Sequence, residues 1–264
     1  MTRARLIGID RYPDPANELH GCKNDVQTMR AFLEGLQTVQ VLQPLCDAAA
    51  DVASIDAALV RDIAALGDGD QLLVHFSGHG SRLYFAGALR AAACPVNFME
   101  GDRVSAIIDL DIGNALAALR PLARVTIFAD CCFSGGLQQD FVELLPLADV
   151  PTVRVRRFVS KPGRAGGRVR APAPARTFDD VIGDHDVVLL SASGFAQRSG
   201  ETSFGNAVEG IFTHFLVQHL AAYVNIDEPA TATRDAVCVA VAAFPQRAEL
   251  HGRRLSFDKP LIQR

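Results

Sequence analysis

The chain has 264 residues, 49% hydrophobic and 21% charged, which supports a substantial buried core and excludes a wholly disordered polypeptide. A formal net charge of −4 and an isoelectric point near 6.0 give no bulk attraction to nucleic acid or to an acidic membrane surface. The opening MTRARLIGID moves straight into a strand-like run with no apolar signal core, and nothing reaches the ~18 apolar residues of a membrane span. The expectation is a soluble cytoplasmic protein with neither nucleic-acid nor membrane partners.

Taken in chain order, strand-like and helix-like segments alternate. Arg5–Asp10 is a short apolar run that ends in turn chemistry at Tyr12-Pro13-Asp14-Pro15. Val26, Met29, Phe32 and Leu33 recur at helical spacing across Asn24–Leu36, and Asn24 or Asp25 is placed to cap that helix. Val39–Leu45 reads as a strand, Ala53–Leu66 as a helix stopped by Gly67-Asp68-Gly69, and Gln71–Phe76 as a buried strand running into Ser77-Gly78-His79-Gly80. Asp111–Leu119 reads as a helix closed by Pro121, and Arg124–Ala129 as a second buried strand ending at Asp130-Cys131-Cys132. Asp186–Leu190 is a further strand. Glu209–Tyr223 and Thr231–Ala243 are amphipathic helices. Such alternation predicts an α/β fold built on a mostly parallel sheet with helices on both faces.

One stretch breaks the pattern. Pro151–Thr177 holds eight Lys or Arg residues, no acid, and repeated Pro and Gly. It buries too little apolar surface to offset its ordering entropy, so it reads as an exposed mobile linker over 151–177. It divides a single domain, 1–264, into a larger portion, 1–150, and a smaller one, 178–264. As a plain insertion it would have no role. As a processing site it would be cut.

The six cysteines, at 22, 46, 94, 131, 132 and 238, include no CxxC pair. Neither disulfides nor a zinc site is expected, and most read as small buried apolar residues. The chemistry gathers elsewhere. Functional groups in parallel α/β sheets collect at the carboxyl ends of strands, and here two apolar strands finish in SGHG and DCCFSG. If those strands are neighbours, an imidazole meets a thiol, the pairing that raises the thiolate fraction of a nucleophilic cysteine. Gly78 and Gly80 allow a tight turn around His79, and the Gly80 N–H is a candidate oxyanion donor together with that of the nucleophile.

HFSGHG at 75–80, DCCFSG at 130–135, LHGCKNDVQTMRAFL at 19–33 and EGIFTHFLVQHL at 209–220 form an ordered set. Together they resemble the caspase-like cysteine peptidases, nearest to the metacaspases and their bacterial, orthocaspase-like relatives. Cys132 follows His79 by 53 positions, near the caspase spacing of about 50. The resemblance implies the caspase-like fold with a six-stranded sheet, Cys132 as nucleophile, His79 as base and acid, and Cys131 as bystander. Phe133 stands where the family pattern has His.

By the same resemblance, Asp25, Asp130, Ser77 and Cys22 match positions of the substrate pocket. Two carboxylates there favour a guanidinium, held bidentately. The implied activity is endoproteolysis after Arg, with Lys weaker and Asp not cleaved. Its partners are protein substrates with exposed Arg or Lys. Arg154, Arg156, Arg157, Arg164, Arg168, Arg170 and Arg176 then become processing candidates, for the enzyme itself or for an upstream activating protease that converts a zymogen. No cofactor is expected. A calcium site is disfavoured, because Asn97 stands where the family often has an acid and only Asp109 and Asp111 match part of the acidic stretch. Monomer is the expected state. The alternative is a catalytically silent caspase-like scaffold that acts as a binding module. A cysteine phosphatase is excluded, since position 138, where its Arg is needed, is Gln.

Overall fold

In the computed structural model the described residues are 1–85, 88–100, 103–132, 154–155, 181–194, 199–222, 226–244 and 246–263. In chain order they form β1 (Thr2–Gly8), α1 (Cys22–Gly35), β2 (Val39–Val41), β3 (Leu45–Cys46), α2 (Val52–Ala64) and β4 (Gln71–Ser77). A hairpin of β5 (Gly80–Phe85) and β6 (Ala88–Ala93) follows, then the short β7 (Met99–Glu100), β8 (Arg103–Val104) and β9 (Ile107–Ile108). Next come α3 (Asp109–Leu116), β10 (Arg124–Asp130), β11 (Arg154–Val155), β12 (Asp186–Ser191), β13 (Gly200–Phe204) and β14 (Ala207–Gly210). The remaining elements are α4 (Ile211–Ala221), α5 (Ala230–Ala240), β15 (Glu249–Gly252) and α6 (Arg254–Phe257).

The central sheet runs β15-β12-β10-β4-β1-β2, with the two-residue β3 also on β1. It therefore has seven strands among the described residues where six were expected, the extra one being that short pairing. All its neighbours are parallel except β15 on β12. Strand β4 is buried along its whole length, as a strand covered on both faces must be. Its Leu72, Val74 and Phe76 join Ile55, Leu59 and Ile63 of α2 in one core. Leu73 turns the other way, into a second core with Met29, Leu33, Phe212 and Leu216 from α1 and α4. The two cores sandwich the sheet. Among the described residues no helix is long and apolar enough to cross a membrane.

Several expectations need correction. Helix α1 starts two residues early, at Cys22, and neither Asn24 nor Asp25 caps it. The Asp10 carboxylate does so from the loop before, accepting from the N–H groups of Cys22 (2.8 Å) and Lys23 (3.3 Å). The helix expected from Glu209 begins at Ile211 instead, because Glu209 and Gly210 are the last residues of β14, paired with β13. The β5–β6 hairpin was not anticipated; the Ala-rich β6, ALRAAA, carries little β propensity, and pairing with β5 rather than composition forms it. Of the basic stretch 151–177, residues 154 and 155 are among those described. Arg154 and Val155 form β11 and pair antiparallel with Glu201 and Gly200 of β13. The six cysteines are thiols; Cys22, Cys94, Cys131 and Cys132 are buried, but Cys46 and Cys238 are partly exposed.

Candidate active site

The carboxyl edge of the sheet collects the site. Register places Gly8 of β1, Ser77 of β4 and Asp130 of β10 side by side. The first turn of α1 rests directly on Gly8, where a Cβ would sit 2.7 Å from both the Cys22 carbonyl oxygen and Val26 Cγ2. Any larger residue would lift the helix. That close seat brings Asp25 over the strand ends, where its carboxylate accepts from Ser77 Oγ (2.6 Å) and from the Gly210 N–H (2.7 Å).

Asp130 is held in the same manner. One oxygen accepts from Ser199 Oγ (2.8 Å), the other from the Thr213 N–H (3.0 Å) and Thr213 Oγ1 (2.8 Å). His75 Nε2 lies 3.1 Å from that same threonine hydroxyl. Asp25, Ser77 and Asp130 are all fully buried. The two acids also satisfy amides at the start of α4, which a helix N-terminus leaves open, so they fasten that helix to the sheet. Both acids stand at the carboxyl edge of the sheet, and both carry a structural task that sequence alone did not show. Cys22, the fourth pocket candidate, is buried at the start of α1 and joins the core beneath it.

His79 and Cys132 follow the carboxyl ends of the neighbouring strands β4 and β10. A Cβ on Gly80 would lie 1.8 Å from the Cys132 carbonyl oxygen and 3.1 Å from its nitrogen. The residue after the histidine thus presses on the backbone of the cysteine, a contact that only glycine permits. The Cys94 N–H donates to the His79 carbonyl (3.0 Å). Bonded and non-bonded pairs alternate in an antiparallel ladder, so Gly80, opposite Ala93, falls at a non-bonded position with its N–H directed away from β6.

The imidazole is fixed by two residues to which the sequence assigned no part in the site. His79 Nε2 lies 2.8 Å from the Asn17 carbonyl oxygen. That oxygen only accepts, so the ring proton sits on Nε2 and the lone pair of the neutral ring on Nδ1. Tyr12 packs its ring 4.8 Å from that of His79, takes the His79 N–H on its hydroxyl (3.0 Å) and donates to the Cys94 carbonyl (3.0 Å). Burial, reinforced by Cys94 and Cys22, pushes the Tyr12 phenol well above its ordinary range, and burial does the same for the Cys94 thiol. Both stay protonated at neutral pH, which keeps Tyr12 a donor.

The Cys132 thiol is engaged by Ser199. The Ser199 N–H donates to Sγ at 2.8 Å, and Sγ lies 3.1 Å from the Ser199 carbonyl oxygen. Cys131 is buried in the core, and its carbonyl accepts from Ser193 Oγ (3.4 Å). Arg154 lies in β11, opposite Glu201. The other processing candidates, Arg156, Arg157, Arg164, Arg168, Arg170 and Arg176, lie outside the described residues, as does Phe133. The sequence offered one weak signal for Tyr12 and Asn17, their place in the turn-rich segment after β1. It offered none for Ser199, and for Thr213 no more than its place in the 209–220 block.

A family model described as a caspase domain matches residues 1–255. Metacaspase-9 of Arabidopsis thaliana is 34% identical over 148 residues, 51% of this chain and 43% of the plant protein. Metacaspase-2 of Trypanosoma brucei brucei is 28% identical over 232 residues, 79% of this chain and 59% of that protein. The chain thus aligns with less than two thirds of either relative's length. A crystal structure of a Geobacter sulfurreducens protein matches with a TM-score of 0.69 at 18% identity, covering 98% of this chain and 97% of that one. That likeness concerns the fold.

Proposed function

Since the chain belongs to the caspase-domain family, we propose that it is a cysteine endopeptidase that cleaves after Arg, and more slowly after Lys, through His79 and Cys132. One observation supports the reading above the others. The Gly80 contact that seats the histidine turn on the Cys132 backbone lies at the same sheet edge as the buried pair Asp25 and Asp130. Reactive pair and acidic pair are neighbours.

The chemistry follows from the atoms. His79 Nδ1 takes the thiol proton, and the Cys132 thiolate attacks the carbonyl carbon of the scissile bond. The developing oxyanion is met by the backbone N–H groups of Gly80 and Cys132; losing one such donor typically costs about 3 kcal/mol of transition-state stabilisation. Protonated His79 then gives its proton to the leaving amine, and an acyl-enzyme thioester remains. Water, activated by the same imidazole, releases the acid and restores the thiol. Asn17 keeps the ring in the tautomer that leaves Nδ1 basic throughout. Asp25 and Asp130, with Ser77 between them and Cys22 beneath, receive the guanidinium of the residue before the cut.

Peptides that differ only in that residue test the assignment: Arg is cleaved fastest, Lys slower and Asp not at all. Cys132→Ala removes cleavage, a loss of roughly 10⁴-fold or more, with the fold retained, as a cooperative melting transition shows. Preference for Asp would overturn the pocket, and a fully active Cys132→Ala the nucleophile.

Three further properties belong to the same reading. The uncut chain is a zymogen, monomeric, and cleavage between 151 and 177 activates it. Intact mass and activity, followed together in wild type and Cys132→Ala, separate self-cleavage from cleavage by an upstream protease. Activity needs no calcium. Asn97 accepts from the Val52 N–H (2.9 Å) and Asp111 from the Ile108 N–H (2.8 Å), so both serve as helix caps. Equal rates in calcium and in chelator are the expected result.

A further inference from the structure

Ser199 touches both halves of the site. Its hydroxyl donates to Asp130 Oδ1 at 2.8 Å, and its backbone holds the Cys132 thiol from two sides, N–H to Sγ at 2.8 Å and carbonyl oxygen to Sγ at 3.1 Å. One buried residue therefore ties a pocket carboxylate to the nucleophile. A thiol held in this manner is not presented to a substrate carbonyl.

The donors on Asp130 differ in how readily they yield. The Thr213 N–H and hydroxyl belong to the first turn of α4 and are fixed by the helix. Ser199 lies outside any helix or strand, just before β13, and its hydroxyl is a single rotor. A guanidinium brings several charged donors to the same carboxylate and makes the stronger, charge-assisted bonds. It replaces the serine hydroxyl with least disruption. The next residue is anchored independently, since the Gly200 N–H donates to Gln246 Oε1 at 3.2 Å. The pivot thus falls between Ser199 and Gly200.

We propose that Ser199 is a positioning residue that couples the two sites: a guanidinium arriving on Asp130 displaces the Ser199 hydroxyl, the Ser199 backbone lets go of Cys132, and the thiol turns toward His79. This rests on the acidic-pocket reading above. It adds that the specificity pocket gates the nucleophile, so that a substrate with the right side chain readies the thiol that will attack it.

The test is the rate at which iodoacetamide alkylates Cys132, read by mass spectrometry of the Cys132 peptide, with and without agmatine as a guanidinium probe. Agmatine is expected to raise the wild-type rate by about tenfold, the equivalent of one charge-assisted hydrogen bond released. Ser199→Ala should react fast without agmatine and gain nothing from it. Binding is scored separately, as a rise in melting temperature that Asp25→Asn abolishes. If agmatine binds and wild-type alkylation is unchanged or slowed, the coupling is wrong while the pocket stands. If agmatine does not bind, the pocket reading fails, and the Ser199→Ala rate alone decides the latch: a fast rate supports it and a wild-type rate overturns it. The wild-type measurement needs no variant, so a Ser199→Ala chain that failed to fold would leave the coupling open to refutation.

Discussion

The two edges of the central sheet carry buried polar rows that look alike in sequence and differ in chemistry. At the amino edge, register aligns Thr2, Gln71, Arg124 and Asp186. Arg124, almost wholly buried, donates to the carbonyls of Pro260 (2.6 Å) and Ser256 (3.2 Å) and lies 3.7 Å from Asp186. Lys259 adds a second cation on Asp186 at 2.6 Å. Gln71 spans Thr126, the Leu261 carbonyl and the Gln263 N–H. This edge clamps the C-terminal segment onto the strands, and its acid faces cations. At the carboxyl edge Gly8, Ser77 and Asp130 align, and the acids there are met by hydroxyls and backbone amides. One edge closes on a chain segment; the other is the edge at which the proposed site lies.

Each edge can be broken alone. The largest effect on folding is expected at the amino edge. Arg124→Ala strips two carbonyls and one carboxylate of their partner and empties a large buried volume, which should cost about 3 kcal/mol. For a chain of this size that lowers the melting temperature by roughly 8 °C. Specific activity of the folded fraction should hold, and a loss of activity without loss of stability would erase the distinction between the edges. The next effect lies at the carboxyl edge. Asp25→Asn keeps the shape and the contact with Ser77 but removes the charge, and kcat/KM for an arginyl peptide should fall about 100-fold, as for loss of a charge-assisted bond. Stability should change less than in Arg124→Ala, and an unaltered preference for Arg would remove Asp25 from the pocket.

These differences were unevenly legible in the sequence. The strands β4 and β10 were readable because burial on both faces leaves an unbroken apolar run, and the reactive residues stood at their ends. That His79 and Cys132 stand at one sheet edge was readable because parallel neighbours share an edge. What could not be read was whatever depends on residues far apart in the chain. Asp25 looked like a helix cap, yet Asp10 caps that helix, and Gly8 lets the helix sit low enough for Asp25 to reach Ser77. Ser199 and Thr213 lie 69 and 83 positions from Asp130 and carry no local pattern. The β5–β6 hairpin and the pairing of Arg154 with β13 were hidden because pairing depends on a partner strand.

A smaller effect is expected between the edges, at Tyr12. Tyr12→Phe keeps the ring beside His79 but removes the acceptor for the His79 N–H and the donor to Cys94. The loss of one or two neutral hydrogen bonds costs about 1–2 kcal/mol. With His79 in its proposed role as base, part of that loss should appear in kcat rather than KM, as a fall of roughly fivefold. A variant with wild-type kcat would show that Asn17 and the Gly80 contact hold the histidine without the phenol.

The smallest effect sharpens the comparison through pH. Burial alone would raise the Asp186 carboxyl, but hydrogen bonds from Lys259 and Ser256 and the charge of Arg124 outweigh it, and the group is held below its ordinary 3.8. A folded-state value below the unfolded one stabilises the protein at pH values above about 4, and the contribution is lost as pH falls through the folded value. Asp186→Asn should therefore be less stable than wild type at neutral pH, by under about 1 kcal/mol because the pair is partly solvated. The gap between the two urea midpoints should shrink as pH drops below 4 and vanish once both chains are neutral at this position. Cleavage of arginyl peptides by folded Asp186→Asn should match wild type throughout, since the carboxylate it removes belongs to the clamp. If the gap persists at the lowest pH at which both chains still fold, shape rather than charge holds the amino edge, and the contrast between the edges would rest on Arg124 alone.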